Sequence, residues 1–178
     1  LQFQASNPSH HAVAGPGRST TTGLKNVPGL GQLTTASTIK CSDCHNNNAG
    51  PAAAPTPGTG PMGPHGSTLP AMLAGTYVTS PENNSNTYRK TDYELCFKCH
   101  DEAKIFSSTE RFGNSDGHPK HVRDKGYRCN TCHDPHGISS TQGTTTTAGG
   151  LINFKPTASA DSPKTAGMLA SRSTASCW

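Results

Sequence analysis

Cys129-Asn130-Thr131-Cys132-His133 is the last of three copies of one pattern in this chain; the others are Cys41-Ser42-Asp43-Cys44-His45 and Cys96-Phe97-Lys98-Cys99-His100. Cys-x-x-Cys-His is the attachment signature of c-type haem: two thiols form thioethers with the porphyrin vinyl groups, and the adjacent histidine reaches the iron. The chain has nine histidines in 178 residues, so a histidine follows a given Cys-x-x-Cys by chance about one time in twenty. Three successes in three are then a coincidence of roughly one in 8,000. The pattern uses six of the seven cysteines. Structural zinc accounts for paired cysteines but does not require a histidine directly after the second one, and three pairs do not divide into four-ligand sites. Three disulfides in an exported chain would also leave the three histidines unexplained. The sequence therefore predicts three covalent haems, with Cys41, Cys44, Cys96, Cys99, Cys129 and Cys132 as anchors and His45, His100 and His133 as proximal ligands.

Composition agrees with a fold built on ligands. Hydrophobic residues make up 30% of the chain and aromatics 6%, with 19 glycines and 14 prolines; counted with glycine and without tyrosine the apolar share is about 39%, against roughly 45–50% in typical globular chains. Such a polypeptide buries too little apolar surface to offset its chain entropy. Three rigid apolar plates, covalently tied, act as core and cross-link together, so the apo chain is expected not to fold. The expected fold class is mostly irregular coil with a few short helices, organised around three haems, with little or no sheet.

The chain reads as one haem-nucleated domain over residues 1–178. An extended N-terminal arm with turns spans 1–40 and carries Gly15-Pro16-Gly17 and Pro28-Gly29. The three-haem core spans 41–137. Within it, 46–70 is an Asn/Pro/Gly/Ala loop with six prolines that must run irregular or as polyproline II. Thr91 to Phe106 tolerates helix, with Asp92 as a possible cap. A Thr/Ser/Gly-rich segment spans 138–178, relieved by Leu151-Ile152-Asn153-Phe154, which is expected to pack on a haem.

The formal net charge of +4, without long Lys/Arg runs, gives no reason to invoke nucleic acid. No stretch approaches the ~20 apolar residues of a membrane span. The chain opens Leu1-Gln2-Phe3-Gln4 without an initiator Met or basic n-region. Because c-type haem is attached outside the cytoplasm, an exported and trimmed product is expected at the cell surface or outside it, with the periplasm as the alternative.

An iron that only relays electrons is best held by two strong-field ligands. Six histidines remain for the distal positions: His10, His11, His65, His118, His121 and His136, against Met62, Met72 and Met168. Bis-histidine ligation is the expectation. His136 lies three residues after His133 across Pro135, too close to serve the same iron, so it is expected to face a neighbouring haem. His65 sits on a proline-stiffened loop. Of His118 and His121, three apart, His121 is favoured as ligand, with the other left to bond a propionate. Of the adjacent pair, His11 is favoured over His10.

Cys129-Asn-Thr-Cys132-His133-Asp-Pro-His136-Gly137 resembles the doubled-CXXCH family of multihaem c-type cytochromes, in which Cys-x-x-Cys-His-x-Pro-His-Gly recurs. Ile39-Lys-Cys41 through His45-Asn46, Gly63-Pro-His65-Gly-Ser67, Tyr93-Glu-Leu-Cys96 through His100-Asp101, and His118-Pro-Lys-His121-Val122 are similar to the secreted multihaem cytochromes of metal-reducing bacteria. So are Gly137 to Gly143 and Leu151 to Phe154, and the likeness covers most of residues 7–155. Asn7-Pro-Ser-His10-His11-Ala-Val13 resembles a segment ending His-Pro-Val, whose histidine aligns with His11; here Ala12 replaces the proline. Ser173-Thr-Ala-Ser-Cys177-Trp178 resembles the opening of a further haem site, while a free or intermolecularly bridged Cys177 is the alternative.

The resemblance implies closely packed low-spin haems passing single electrons, with redox proteins or extracellular acceptors as partners. It also implies a possible homo-oligomer: some extracellular relatives polymerise into conductive filaments in which a histidine of one subunit ligates a haem of the next. His11, His65, His121 and His136 are four candidates for three irons, with the arm bearing His10 and His11 the natural donor across an interface. An electron-transfer protein, not an enzyme, is the expectation. The rival classes are a soluble shuttle, a multihaem reductase, which needs an open iron position that none of the three motifs signals, and a Thr/Ser-rich coat protein.

Overall fold

The computed structural model describes residues 3–17, 23–78, 88–108, 112–113 and 115–141. The Thr-rich run at 144–147, Leu151–Phe154, Met168 and Cys177 lie outside the described residues. The regular elements are short. Two strands, β1 (Asn26–Val27) and β2 (Gly31–Gln32), pair antiparallel with Asn26 opposite Gln32. Among the described residues four single-turn α-helices follow: α1 (Cys41–Cys44), α2 (Glu94–Phe97), α3 (Glu102–Ile105) and α4 (Cys129–Cys132). Among the described residues no helix is long and apolar enough to cross a membrane.

The three motifs fold alike. Each Cys-x-x-Cys takes a helical turn closed by the histidine N–H on the first cysteine carbonyl: His45 on Cys41 at 2.8 Å, His100 on Cys96 at 3.0 Å, His133 on Cys129 at 2.8 Å. Residues three apart on a helix share a face, so one turn brings both thiols to the same side. In the first and third motifs the histidine then leaves the helix into extended backbone, at φ −101° for His45 and −109° for His133.

Extended segments lie across these motifs. His45 forms an isolated bridge with Leu73, and Ala74 N–H donates to the Cys44 carbonyl at 2.8 Å. His100 bridges Leu24, flanked by Lys25 N–H to Cys99 O at 2.9 Å and Asp101 N–H to Gly23 O at 2.7 Å. Just past the third motif, Ile138 N–H donates to Ser9 O at 2.9 Å. The N-terminal region is thus folded onto the motifs: Ser9 and His11 lie along the stretch that follows the third, and residues 23–25 lie on the second. The β1–β2 turn is a type II turn, with Pro28 setting φ at its second position and Gly29 supplying φ +83° at its third.

The helix expected over Thr91–Phe106 is broken into pieces. Lys90–Tyr93 is a 3-10 turn running into α2, and α3 starts afresh, capped by Asp101, whose Oδ1 accepts from Ala103 N–H at 2.9 Å. Pairing of His100 with Leu24 demands extended backbone between them, which no continuous helix supplies. Asp92, the expected cap, is instead buried and accepts from Arg128 Nη1 at 3.0 Å.

Buried apolar side chains are few. Tyr93, Phe97 and Val122 form one cluster with Tyr77, Tyr88, Ile105, Phe106 and Cys129 against it, between the second and third motifs. The loop after His45 is organised by polar groups. Buried Asn46 donates to Ser42 O at 2.8 Å and accepts from Asn47 N–H at 2.9 Å and Gly63 N–H at 2.7 Å. Asn47 donates to Pro61 O at 2.9 Å, and a Cβ at Gly66 would meet its Cγ at 2.8 Å.

Candidate functional site: three histidine pairs

The second motif sits between the other two. Lys98, in the middle of its Cys-x-x-Cys, donates to Asp43 O of the first motif at 2.6 Å and to Ala52 O at 2.8 Å. On the other side Cys96 lies against Cys129 of the third motif, and Tyr77 Oη accepts from Asn130 N–H at 2.7 Å. No disulfide joins the six motif cysteines. Burial pushes the Cys44 thiol up to about 11, and the hydrogen bond with Cys129 together with burial raises Cys96. These thiols stay protonated at neutral pH, unlike the exposed, electropositive thiolates of thiol catalysts.

Each motif histidine has one non-motif histidine near it. Ring centroids are 6.2 Å apart for His45 and His136, 6.3 Å for His100 and His11, and 6.1 Å for His133 and His118. Two imidazoles on opposite sides of one first-row metal ion are separated by two metal–nitrogen bonds of about 2 Å and two ring radii of about 1.1 Å, or about 6.2 Å in all. Packed aromatic rings span a wider range of about 4.5–7 Å, whereas these three separations agree within a narrow band. Among the described residues no three His, Cys, Asp or Glu side chains converge on a bare metal ion; the arrangement is one of pairs.

Local chemistry explains how the partners arrive. After His133, Asp134 Oδ1 accepts from His136 N–H at 3.0 Å, an Asx turn that reverses the chain and sends His136 to His45 rather than back to its own motif. His11 is held by its ring, whose Nδ1–H donates to Pro135 O at 2.5 Å. His45 Nδ1–H donates to Ala71 O at 2.9 Å. An Nδ1–H committed to a carbonyl fixes the tautomer and leaves the Nε2 lone pair for a metal. Burial pushes His100 down to about 4, with His11 and His133 adding to the effect. His118 is lowered to about 4 by burial, with His133 beside it. His11 is lowered by burial against the pull of the Pro135 carbonyl. Depressed imidazoles are neutral at physiological pH, which is the ligating form.

The other candidates lie elsewhere. His121, favoured from the sequence over His118, makes the same kind of bond, its Nδ1–H donating to Gly117 O at 3.0 Å, but its ring packs against Phe112 and Tyr127, at 5.5 and 5.8 Å, rather than against a motif histidine. His65 is exposed. His10 is buried, and neither ring nitrogen has a hydrogen-bond partner. Met62 and Met72 are largely exposed, at 62% and 46%. No residue type signals the carbonyls of Ala71 and Pro135, because every residue carries one.

Comparison with protein-family models, with curated proteins and with solved structures finds no match for this chain.

Proposed function

We propose that this chain is a multihaem c-type cytochrome that carries electrons and turns over no substrate. A haem, when bound, gains and loses one electron at its iron, and the polypeptide sets its ligation and surroundings. The six motif cysteines are the covalent anchors. His45, His100 and His133 are the proximal ligands, and His136, His11 and His118 are their distal partners. The observation that carries this reading is the uniform spacing of the three pairs.

The fit to haem is chemical as well as geometric. The thiols of each motif share one helix face, burial favours the neutral form of His11, His100 and His118, and the carbonyls of Ala71 and Pro135 orient two of the six rings. With a partner for every proximal histidine, no coordination position is left for a substrate, which favours electron transfer over a reductase. An extracellular or cell-surface location belongs to the same proposal, since c-type haem is attached outside the cytoplasm. Assembly into a homo-oligomer, as the resemblance implies, would draw on a histidine outside the three pairs. His65, exposed on the loop pinned by Asn46 and Asn47, is the one that faces outward.

Mass spectrometry of the denatured protein tests the reading. Three haem masses retained after unfolding are expected. A mass equal to the bare polypeptide, or to the polypeptide with zinc, would overturn it.

A further inference from the structure

Ala71 and Met72 are consecutive non-glycine residues in the left-handed region, at φ +55° and +53°. A Cβ there crowds the backbone, so such residues persist only where their surroundings impose the conformation, and they gather at functional sites. Both side chains are exposed, so no buried side chain demands this conformation. What it orients is the peptide between them, whose carbonyl oxygen accepts from His45 Nδ1–H at 2.9 Å. The flanks are fixed on both sides. Pro70 sets φ before the pair, and afterwards Leu73 bridges His45 while Ala74 N–H donates to Cys44 O at 2.8 Å. Ser67 Oγ donates to Leu73 O at 2.7 Å, tying the strap to the His65 loop.

We infer that the left-handed pair Ala71–Met72 is a positioning device that holds the Ala71 carbonyl on the proximal histidine of the first motif and thereby sets the reduction potential of that haem below the value it would have without the bond. The inference rests on the reading of His45 as a haem ligand. Donation of Nδ1–H to a carbonyl makes an imidazole a stronger donor to its metal. Stronger axial donation favours the more positively charged iron, so the potential falls. The bond also fixes the rotation of the ring about the ligand axis.

Two substitutions at one site separate this role from a merely structural one. Glycine accepts a left-handed φ without penalty, whereas a β-branched residue resists it. In the holoprotein, Ala71→Gly is expected to leave all three midpoint potentials and all three low-spin electron paramagnetic resonance signals in place. Ala71→Val is expected to raise one potential and alter one signal, with the other two haems unchanged. Where Ala71→Val does not retain three haems, Met72→Val applies the same stress one residue on. The inference is overturned if Ala71→Val with three haems attached moves no potential, or if Ala71→Gly moves one as far as valine does. A parent protein without covalent haem would instead overturn the underlying reading, so the two failures are distinguishable.

Discussion

His11 donates its Nδ1–H to the carbonyl of Pro135 at 2.5 Å, and this one bond links the N-terminal segment to a tetrapeptide that serves all three histidine pairs. His133 belongs to the third pair and His136 to the first, while Pro135 orients His11 of the second. On the proposed reading, the first haem site would not be complete until the chain has folded as far as His136, 91 residues after His45 by the sequence numbering. Replacing His136 with Ala should therefore open a coordination position at the first haem and not at the third. Carbon monoxide binding to the reduced protein, at one haem in three, checks this; no binding would place the distal ligand of His45 elsewhere.

The Asx turn that aims His136 can be tested apart from the ligand. Asp134→Ala removes the acceptor of the His136 N–H, a bond whose net contribution is about 1 kcal/mol. Thermal unfolding of the holoprotein should show a loss of about that size, and Asp134→Asn, which keeps the acceptor, should restore most of it.

Asn46 is the fixed point of the loop that carries His65. Replacing it with Ala removes one donor and one acceptor that together make three hydrogen bonds, and leaves the N–H groups of Asn47 and Gly63 without their partner. A loss of about 2–4 kcal/mol is expected from stranding buried donors, read by denaturant unfolding with haem content unchanged. An effect under about 0.5 kcal/mol would mean that water replaces the side chain freely.

The three local motifs of the proposed site are legible in the sequence, and the reason is chemical. A covalent haem demands two thiols and an imidazole in one helical turn, so the requirement is written in consecutive residues. Partners that arrive from afar leave no such trace. His118 and His121 are one turn apart with nearly the same neighbours in sequence. The turn over Pro119–Asp124 separates them, because His121 closes on Gly117 through both its backbone N–H and its ring while His118 is left toward His133. The helix expected after Thr91 fails for a similar reason: local propensity favours it, but pairing of His100 with Leu24 takes priority. The N-terminal region reads as an arm because its turns are local signals, whereas its docking on the second and third motifs depends on backbone carbonyls that no residue type advertises.

The scarcity of buried apolar side chains among the described residues carries its own prediction. With all six motif cysteines replaced by Ala, so that no haem is retained, the chain should show no cooperative unfolding transition and no near-ultraviolet circular dichroism. A sharp transition in that variant would mean that the polypeptide alone supplies a sufficient core.

The pairing of the histidines is tested most directly by low-temperature electron paramagnetic resonance of the oxidised holoprotein and of single His→Ala variants. The parent should show three low-spin bis-histidine haems and no high-spin signal. His11→Ala, His118→Ala and His136→Ala should each convert one haem in three to high spin, while His65→Ala and His121→Ala should leave all three low-spin. A high-spin haem in the parent, or a His121→Ala variant that opens a haem while His118→Ala does not, would contradict the account.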